Sequence, residues 1–100
     1  MVKHIILWKL DEKLTESEKE TVKQNAKREL EGLYGKIDGL NKIEITVCGL
    51  SSSNADMMLY SELTDKNALE NYRVSPVHNA VADKFVRPYT VQRLCLDFEI

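Results

Sequence analysis

Alternating hydrophobic and polar positions predict four β-strands, with two helical segments between them. The first strand covers residues 2–10, and both of its faces are largely apolar. The side chains on one face are Val2, His4, Ile6, Trp8 and Leu10, and those on the other are Ile5 and Leu7. The same alternation predicts strands over 42–50, 55–63 and 91–100, and the stretch GLSSSN is typical of a turn between the second and the third.

Helical spacing and a capping signal predict the first helix. TESE at 15–18 is a capping box, because the Thr15 hydroxyl can accept a backbone N–H while Glu18 reaches back to the chain. Apolar side chains then recur at the spacing of one helix face, at Val22, Ala26, Leu30 and Leu33. The glycine-rich stretch YGKIDGLNK predicts that this helix ends near Gly35.

The second helical segment is predicted to hold two short helices. Thr64 or Asp65 can cap the first of them. Ser75 followed by Pro76 marks the start of the second, because the missing N–H of proline costs nothing at the first helical position. Its apolar stripe consists of Val77, Ala80, Val81 and Phe85. Pro88 ends this helix before the last strand.

The order βαββ(αα)β predicts an α+β domain of ferredoxin-like arrangement, with an antiparallel sheet and both helical units on one face. The opposite face would then expose an apolar patch wider than soluble monomers usually tolerate. The side chains of this patch are Ile5, Leu7, Met58, Tyr60, Leu94, Leu96 and Phe98. We therefore expect a homodimer in which two sheets pack face to face as a dimeric α/β barrel.

Composition narrows the class of protein further. One hundred residues are the size of one domain, 1–100, and bury enough surface to fold without disulfides or metal. A net charge of −2 argues against a nucleic-acid partner, and no run approaches the roughly 18 apolar residues of a membrane span. Cys48 and Cys95 lie in apolar runs, which favours buried free thiols in a reducing compartment. The N-terminus shows no signal-peptide pattern, so we expect a cytoplasmic protein.

Three segments of the chain resemble the stress-responsive A/B barrel (Dabb) family. They are VKHIILWKL (2–10), NADMMLYSELTDKNALENYRVSPVHNAVADKFVRP (54–88) and RLCLDFE (93–99). The most specific part runs from Asp56 through Tyr72 and Pro76 to His78 and the arginine–proline that follows the helix. For the whole chain, the resemblance implies the ferredoxin-like fold and the sheet-to-sheet dimer, but no single reaction.

Members of this family differ in what they do. Many have no known activity, some plant relatives are linked to stress or defence, and one relative is a polyketide cyclase that uses a tyrosine and a histidine. Tyr72 and His78 match that pair. Compared with the cyclase, however, Trp8 is bulkier and Met57 replaces a polar side chain, which argues against carry-over of the cyclase reaction.

Two interpretations of Tyr72 and His78 remain open. The positive end of the helix dipole should lower the pKa of His78, so that a neutral imidazole could act as a base while Tyr72 orients a substrate carbonyl. Alternatively, His78 bonds to a loop carbonyl and fixes the helix start, and Tyr72 fills the space between helix and sheet.

His4 and Asp97 form a second candidate pair. If the last strand runs antiparallel beside the first, Asp97 lies near His4 on the helix-side face, and a carboxylate within ~4–6 Å favours the imidazolium. The pair either closes the barrel end or forms a pocket wall. His4, His78 and Asp97 are also metal-binding side chains, but they lack a diagnostic spacing, so we expect no metal.

Together these patterns predict a small apolar pocket between the sheet and the helices. Its expected lining is His4, Ile6, Trp8, Met57, Leu59, Tyr72, His78, Phe85 and Asp97. The favoured function is a non-catalytic, stress-associated or small-molecule-binding homodimer without a cofactor. The alternative is a cofactor-free cyclase, isomerase or monooxygenase that acts on an aromatic or polyketide-like substrate, with His78 as base and Tyr72 as orienting group. An open pocket in which these two side chains converge would favour the alternative.

Overall fold

Four antiparallel strands and three helices make up the computed structural model, which covers residues 1–100. In chain order they are β1 (Val2–Leu10), α1 (Glu16–Glu31), β2 (Leu40–Thr46), β3 (Met57–Leu63), α2 (Lys66–Val74), α3 (Pro76–Phe85), a single 3₁₀ turn (Arg87–Tyr89) and β4 (Thr90–Glu99). The strand order across the sheet is β2-β3-β1-β4, so the last strand lies beside the first. The predicted ferredoxin-like arrangement is confirmed.

Strand register determines which side chains share a face of the sheet. In β1, Ile5 lies between Tyr60 of β3 and Leu96 of β4, and His4 lies opposite Asp97 of β4. Successive side chains of a strand point to opposite faces. Accordingly, the even-numbered residues of β1 are buried under the helices, and the odd-numbered ones are partly or largely exposed on the other face.

Capping residues fix the starts of the helices as predicted. The Thr15 hydroxyl accepts the Glu18 N–H at 3.1 Å, and the Glu18 carboxylate accepts the Thr15 N–H at 2.8 Å. At α3, the Ser75 hydroxyl accepts the backbone N–H of His78 at 3.4 Å, and Pro76 is the first helical residue. None of the helices, including the 16-residue α1, is long and apolar enough to cross a membrane.

The element boundaries differ most from the sequence-based prediction at the end of α1 and at β2, which was expected over 42–50. The helix α1 ends at Glu31 rather than near Gly35, and a series of turns leads from it to β2 at Leu40–Thr46. Gly35 and Gly39 both have positive φ angles, of 86° and 84°, so they serve these turns and not the helix end. At Gly39 a Cβ atom would lie 2.5 Å from the Cβ of Ala68, so this turn packs tightly against α2.

The core lies between the helices and the sheet, and it leaves β4 largely uncovered. Ile6, Leu10, Leu30 and Tyr72 are among the largest fully buried side chains. By contrast, the residues 91–100 are all exposed, because the helices pack over the other three strands. The prediction of buried cysteines is therefore wrong: Cys95 is exposed on β4, and Cys48 is exposed beyond the end of β2.

The face of the sheet opposite the helices carries a continuous apolar patch, which we call the outer face. Its side chains are Ile5, Leu7, Met58, Tyr60, Leu94, Leu96 and Phe98, all partly or fully exposed in the single chain. At one end of it, the Lys3 ammonium contacts the Glu62 carboxylate at 2.7 Å, and the Tyr60 hydroxyl donates to the same carboxylate. The outer face is thus apolar along its centre and polar at this end.

Candidate ligand-binding site

A cavity of about 80 Å³ lies between the helix-side face of the sheet and the α2–α3 segment. The central strand β1 contributes His4, Ile6 and Trp8 to its wall, and α2 and α3 contribute Tyr72 and His78. Because proline fixes the start of α3 immediately after α2, the two helices meet at a sharp bend. This bend brings Tyr72 and His78 to the same wall of the cavity.

Tyr72 and His78 pack against each other, and each has one buried polar atom without a hydrogen-bond partner. Their ring centroids are 4.2 Å apart with an interplanar angle of 34°, and the ring of His4 meets Tyr72 edge-on at 5.8 Å. The Tyr72 side chain is 1% exposed, yet its hydroxyl oxygen and the His78 Nδ1 have no hydrogen-bond partner. Two buried polar atoms are therefore left unsatisfied at the cavity wall, a rare condition in folded proteins.

Burial keeps both side chains uncharged at neutral pH. Loss of solvent, with smaller contributions from Arg87 and His4, lowers the pKa of His78 to about 4. Burial likewise raises the pKa of the Tyr72 hydroxyl well above its usual value of 10.0. The lowered pKa of His78 agrees in direction with the prediction, but burial is its main cause and not the helix dipole.

The imidazole of His78 has one nitrogen without a partner. The backbone N–H of His78 bonds to Ser75 at the start of α3, while the ring Nδ1 has no hydrogen-bond partner. A backbone contact of the ring with Arg73, near the end of α2, opposes the fall in the pKa of His78. The geometry therefore leaves both interpretations open: a ring that bonds to the chain near the helix start, and a ring whose Nδ1 bonds to a ligand.

His4 and Asp97 are paired as the register predicts. The His4 Nδ1 and an Asp97 carboxylate oxygen form a direct hydrogen bond from adjacent strands. The His4 side chain is 4% exposed and that of Asp97 is 37% exposed, so the pair joins the buried cavity wall to the surface. Asp97 itself is not part of the cavity lining.

The structure brings six of the nine predicted pocket residues to the cavity. These are His4, Ile6, Trp8, Leu59, Tyr72 and His78. Met57 is buried in the core, where it pairs with Trp8 across the strands. Phe85 faces a groove between α1 and α3, because the turn of α3 directs its C-terminal end toward α1 and away from His78.

Three arginines at the cavity were not among the predicted site residues. Arg73 is paired with Glu70, and Arg87 is paired with Asp83. Arg93 also lines the cavity, lies opposite Trp8 in the sheet and forms no salt bridge. Its position on the same face of β4 as Asp97 was the sequence signal for it. These cations make the cavity more suited to acidic or polar ligands than an apolar pocket would be.

The fold and the cavity define a ferredoxin-like α+β domain with a small cavity on the helix side of its sheet. The family model described as Stress responsive A/B Barrel Domain (Dabb) matches residues 2–100. The chain therefore belongs to this family. None of the curated protein sequences compared with the chain matches it.

Several solved structures share the fold over nearly the whole chain. A structure from Bacteroides fragilis NCTC 9343, described as a dimeric protein of unknown function with a ferredoxin-like fold, is 31% identical with a TM-score of 0.92, covering 99% of this chain and 95% of that one. A dimeric ferredoxin-like protein of unknown function from Thermobifida fusca is 22% identical, with a TM-score of 0.78 and coverage of 99% and 90%. The hydroxynitrile lyase from Passiflora edulis is 14% identical, with a TM-score of 0.72 and coverage of 99% and 92%. The last two likenesses concern the fold alone.

Proposed function

We propose that this Dabb-family chain is a homodimer that binds a small polar molecule in the cavity beside Tyr72 and His78, without transforming it. The observation that carries the proposal is the pair of buried, unpartnered atoms, the Tyr72 hydroxyl and the His78 Nδ1. Leaving such a group unpaired costs about 1–3 kcal/mol. A ligand that bonds to both atoms recovers this free energy, which favours ligand binding in the cavity.

The chemistry of the wall defines the class of ligand. The Tyr72 hydroxyl stays protonated and can donate, and the neutral His78 ring can accept or donate at Nδ1 according to its tautomer. Arg93, which has no salt-bridge partner, favours an acidic group at the rim. These features fit a small hydroxy acid or oxo acid.

Size limits the ligand further. The cavity measures about 80 Å³, which is less than the volume of about 150 Å³ of an apolar cavity that binds benzene. A ligand enclosed here is therefore smaller than an aromatic ring. This volume argues against the aromatic or polyketide-like substrates of the alternative function.

Dimerisation is the second part of the proposal, and the outer face supports it. A patch that includes Leu94, 58% exposed, and Leu96, 62% exposed, is unfavourable in water. The 31% identical Bacteroides fragilis protein is described as dimeric. We assign the outer face as the dimer surface and expect the protein in a reducing compartment such as the cytoplasm, where its two free cysteines remain reduced.

The alternative, a cofactor-free enzyme with His78 as base, is favoured by the contact between a neutral imidazole and the Tyr72 ring. The lowered pKa of His78 argues against this alternative. An efficient general base has a pKa near the working pH, and a pKa of about 4 leaves His78 a weak base at neutral pH. The binding function requires no such match.

The experiment compares ligand binding in four proteins: the wild type, Tyr72→Phe, His78→Gln and the control Tyr34→Phe, whose tyrosine is 63% exposed. Small hydroxy and oxo acids are screened by thermal shift, and hits are measured by calorimetry while the compounds are checked for turnover. We expect at least one acid to bind, with an affinity about tenfold or more weaker in Tyr72→Phe and unchanged in Tyr34→Phe. No binding, or equal binding by the two tyrosine variants, contradicts the proposal. Turnover lost only in His78→Gln would establish the enzyme instead.

A further inference from the structure

Three side chains beside the cavity form a group with the donor atoms of a metal site. His4, Cys95 and Asp97 offer ligand atoms that all lie within 4.8 Å of one another. Antiparallel pairing builds the group, because His4 lies opposite Asp97 and Cys95 precedes Asp97 by two residues on the same strand face. We propose that these three side chains bind a zinc-type divalent cation and leave one coordination position open.

The spacing of the donor atoms is close to that of a tetrahedral zinc site. The Cys95 sulfur lies 3.9 Å from the His4 Nδ1 and 3.5 Å from an Asp97 carboxylate oxygen. Zinc–ligand bonds of about 2.0–2.3 Å at tetrahedral angles place sulfur about 3.6 Å from either partner atom. His4 and Asp97 are in direct hydrogen-bond contact, so a metal has to separate them, and the partly exposed Asp97 side chain is free to rotate.

The ligand types select the metal. An imidazole nitrogen, a thiolate and a carboxylate together suit zinc, whereas magnesium and calcium prefer oxygen ligands alone. Three protein ligands with one open position are typical of zinc sites that bind water or another small molecule. The set differs from His4, His78 and Asp97, the metal-binding side chains noted in the sequence, because Cys95 takes the place of His78.

The charges around the group are balanced once a divalent cation is bound. The thiolate of Cys95 and the carboxylate of Asp97 offset the two positive charges of the metal. Arg93 precedes Cys95 by two residues, so its side chain lies on the same face of β4 as the group. This cation then favours an anionic ligand at the open position.

The group is fixed on one side and accessible on the other. The His4 ring is held in the buried wall, whereas Cys95 and Asp97 are exposed on β4. Side chains on β4 alternate, so Leu94 and Leu96 face the outer face while Cys95 and Asp97 point away from it. Packing of two sheets through the outer face therefore leaves the metal ligands open to solvent, and the inference does not depend on a ligand in the cavity.

The test uses reduced, tag-free protein titrated with cobalt(II) and, in competition with a chromophoric chelator, with zinc alone. We expect one metal equivalent per protomer and a thiolate-to-cobalt charge-transfer band in the near ultraviolet. Cys95→Ser should abolish the band, and Cys95→Ser and Asp97→Asn should each weaken zinc binding by more than about tenfold. Cys48→Ser, which changes the other exposed cysteine, is the matched control and should bind like the wild type.

Two results would overturn the inference. One is the absence of a cobalt–thiolate band in the wild type. The other is a band that persists in Cys95→Ser or disappears in Cys48→Ser, since either places the binding elsewhere. Both changed ligands are exposed, so the variants are expected to fold, and circular dichroism verifies this for each protein.

Discussion

At the scale of single residues, the Tyr72 hydroxyl and the His78 imidazole set the chemistry of the cavity. Both are kept uncharged by burial, and the Tyr72 hydroxyl and the His78 Nδ1 have no protein partner. A neutral imidazole carries one proton that can reside on either ring nitrogen, so His78 adapts to a donor or an acceptor. Tyr72, by contrast, is held as a donor. The wall thus combines one fixed and one adaptable hydrogen-bonding group.

Burial of His78 makes stability depend on pH. The unfolded state binds a proton at this ring near its ordinary pKa of 6.5, whereas the folded state resists protonation down to about 4. The stabilising contribution is therefore complete above pH 6.5 and is lost as the pH falls from 6.5 to about 4. Because the ring keeps some contact with solvent, we expect a loss of about 1–2 kcal/mol, below the value of the full shift.

Urea unfolding of the wild type and of His78→Gln between neutral and acidic pH measures this contribution. The difference in unfolding free energy between the two proteins should shift against the wild type as the pH is lowered, since glutamine does not titrate. A difference that stays constant over the whole range would contradict the buried, neutral state of His78. Taking the difference removes the contribution of carboxylates that both proteins share.

At the scale of the elements, the turn before β2 shows how local geometry and packing combine. Gly35 and Gly39 have nearly equal positive φ angles, of 86° and 84°. A Cβ on Gly35 would meet nothing within 4 Å, whereas one on Gly39 would lie 2.5 Å from the Cβ of Ala68 in α2. The two glycines are therefore a matched pair that separates backbone strain from steric overlap.

We expect Gly35→Ala to cost about 1–2 kcal/mol of stability through backbone strain alone. Gly39→Ala should cost a further amount of stability, about 1–3 kcal/mol, because the new methyl group overlaps Ala68. Adding Ala68→Gly to Gly39→Ala should recover part of the stability that the overlap removes. The double variant should therefore be more stable than the sum of the two single changes predicts. Chemical denaturation of Gly35→Ala, Gly39→Ala, Ala68→Gly and the double variant measures these losses of stability. Equal losses for the two glycine variants would show that the overlap is relieved without cost.

Sequence patterns predicted the elements well where the signal is local. The capping box at Thr15 and the Ser75–Pro76 pair both mark helix starts correctly, because each signal acts within four residues. The end of α1 was placed too late, since a glycine with positive φ is equally suited to a turn beyond the helix. The exposure of Cys95 depends on how far the helices extend over β4, and residue pattern does not determine that distance.

At the candidate site, too, sequence patterns predicted what local signals determine but not which elements pack together. Alternation in β1 correctly directed His4, Ile6 and Trp8 to the cavity, and the register correctly paired His4 with Asp97. Phe85 was misassigned because helical spacing gives a face but not the neighbour that the face meets. Arg73 and Arg87 were missed because residue pattern does not distinguish a charge at a pocket from a solvated charge on a helix or in a turn, whereas Arg93 could have been found from its position on the Asp97 face of β4.

At the scale of the whole molecule, the proposed assembly rests on the outer face. Leu96 belongs to this face on the edge strand β4, where it is paired with Ile5 in β1. In a sheet-to-sheet dimer, Leu96→Lys places an unpaired charge in the interface, so the dimer dissociation constant should rise by more than about a hundredfold. Leu50→Lys is the control, because Leu50 is 80% exposed in a loop outside the sheet. Sedimentation velocity over a concentration series measures both, and a Leu96→Lys protein that stays dimeric would assign the interface elsewhere.

A high-resolution crystal structure of the protein grown with the tightest-binding acid from the screen tests the central claim most directly. The account predicts two protomers related by a two-fold axis with their outer faces in contact. It also predicts the acid in each cavity, bonded to the Tyr72 hydroxyl and to the His78 Nδ1. A cavity without ligand in which these two atoms bond to other protein groups would contradict it, as would an outer face left open to solvent.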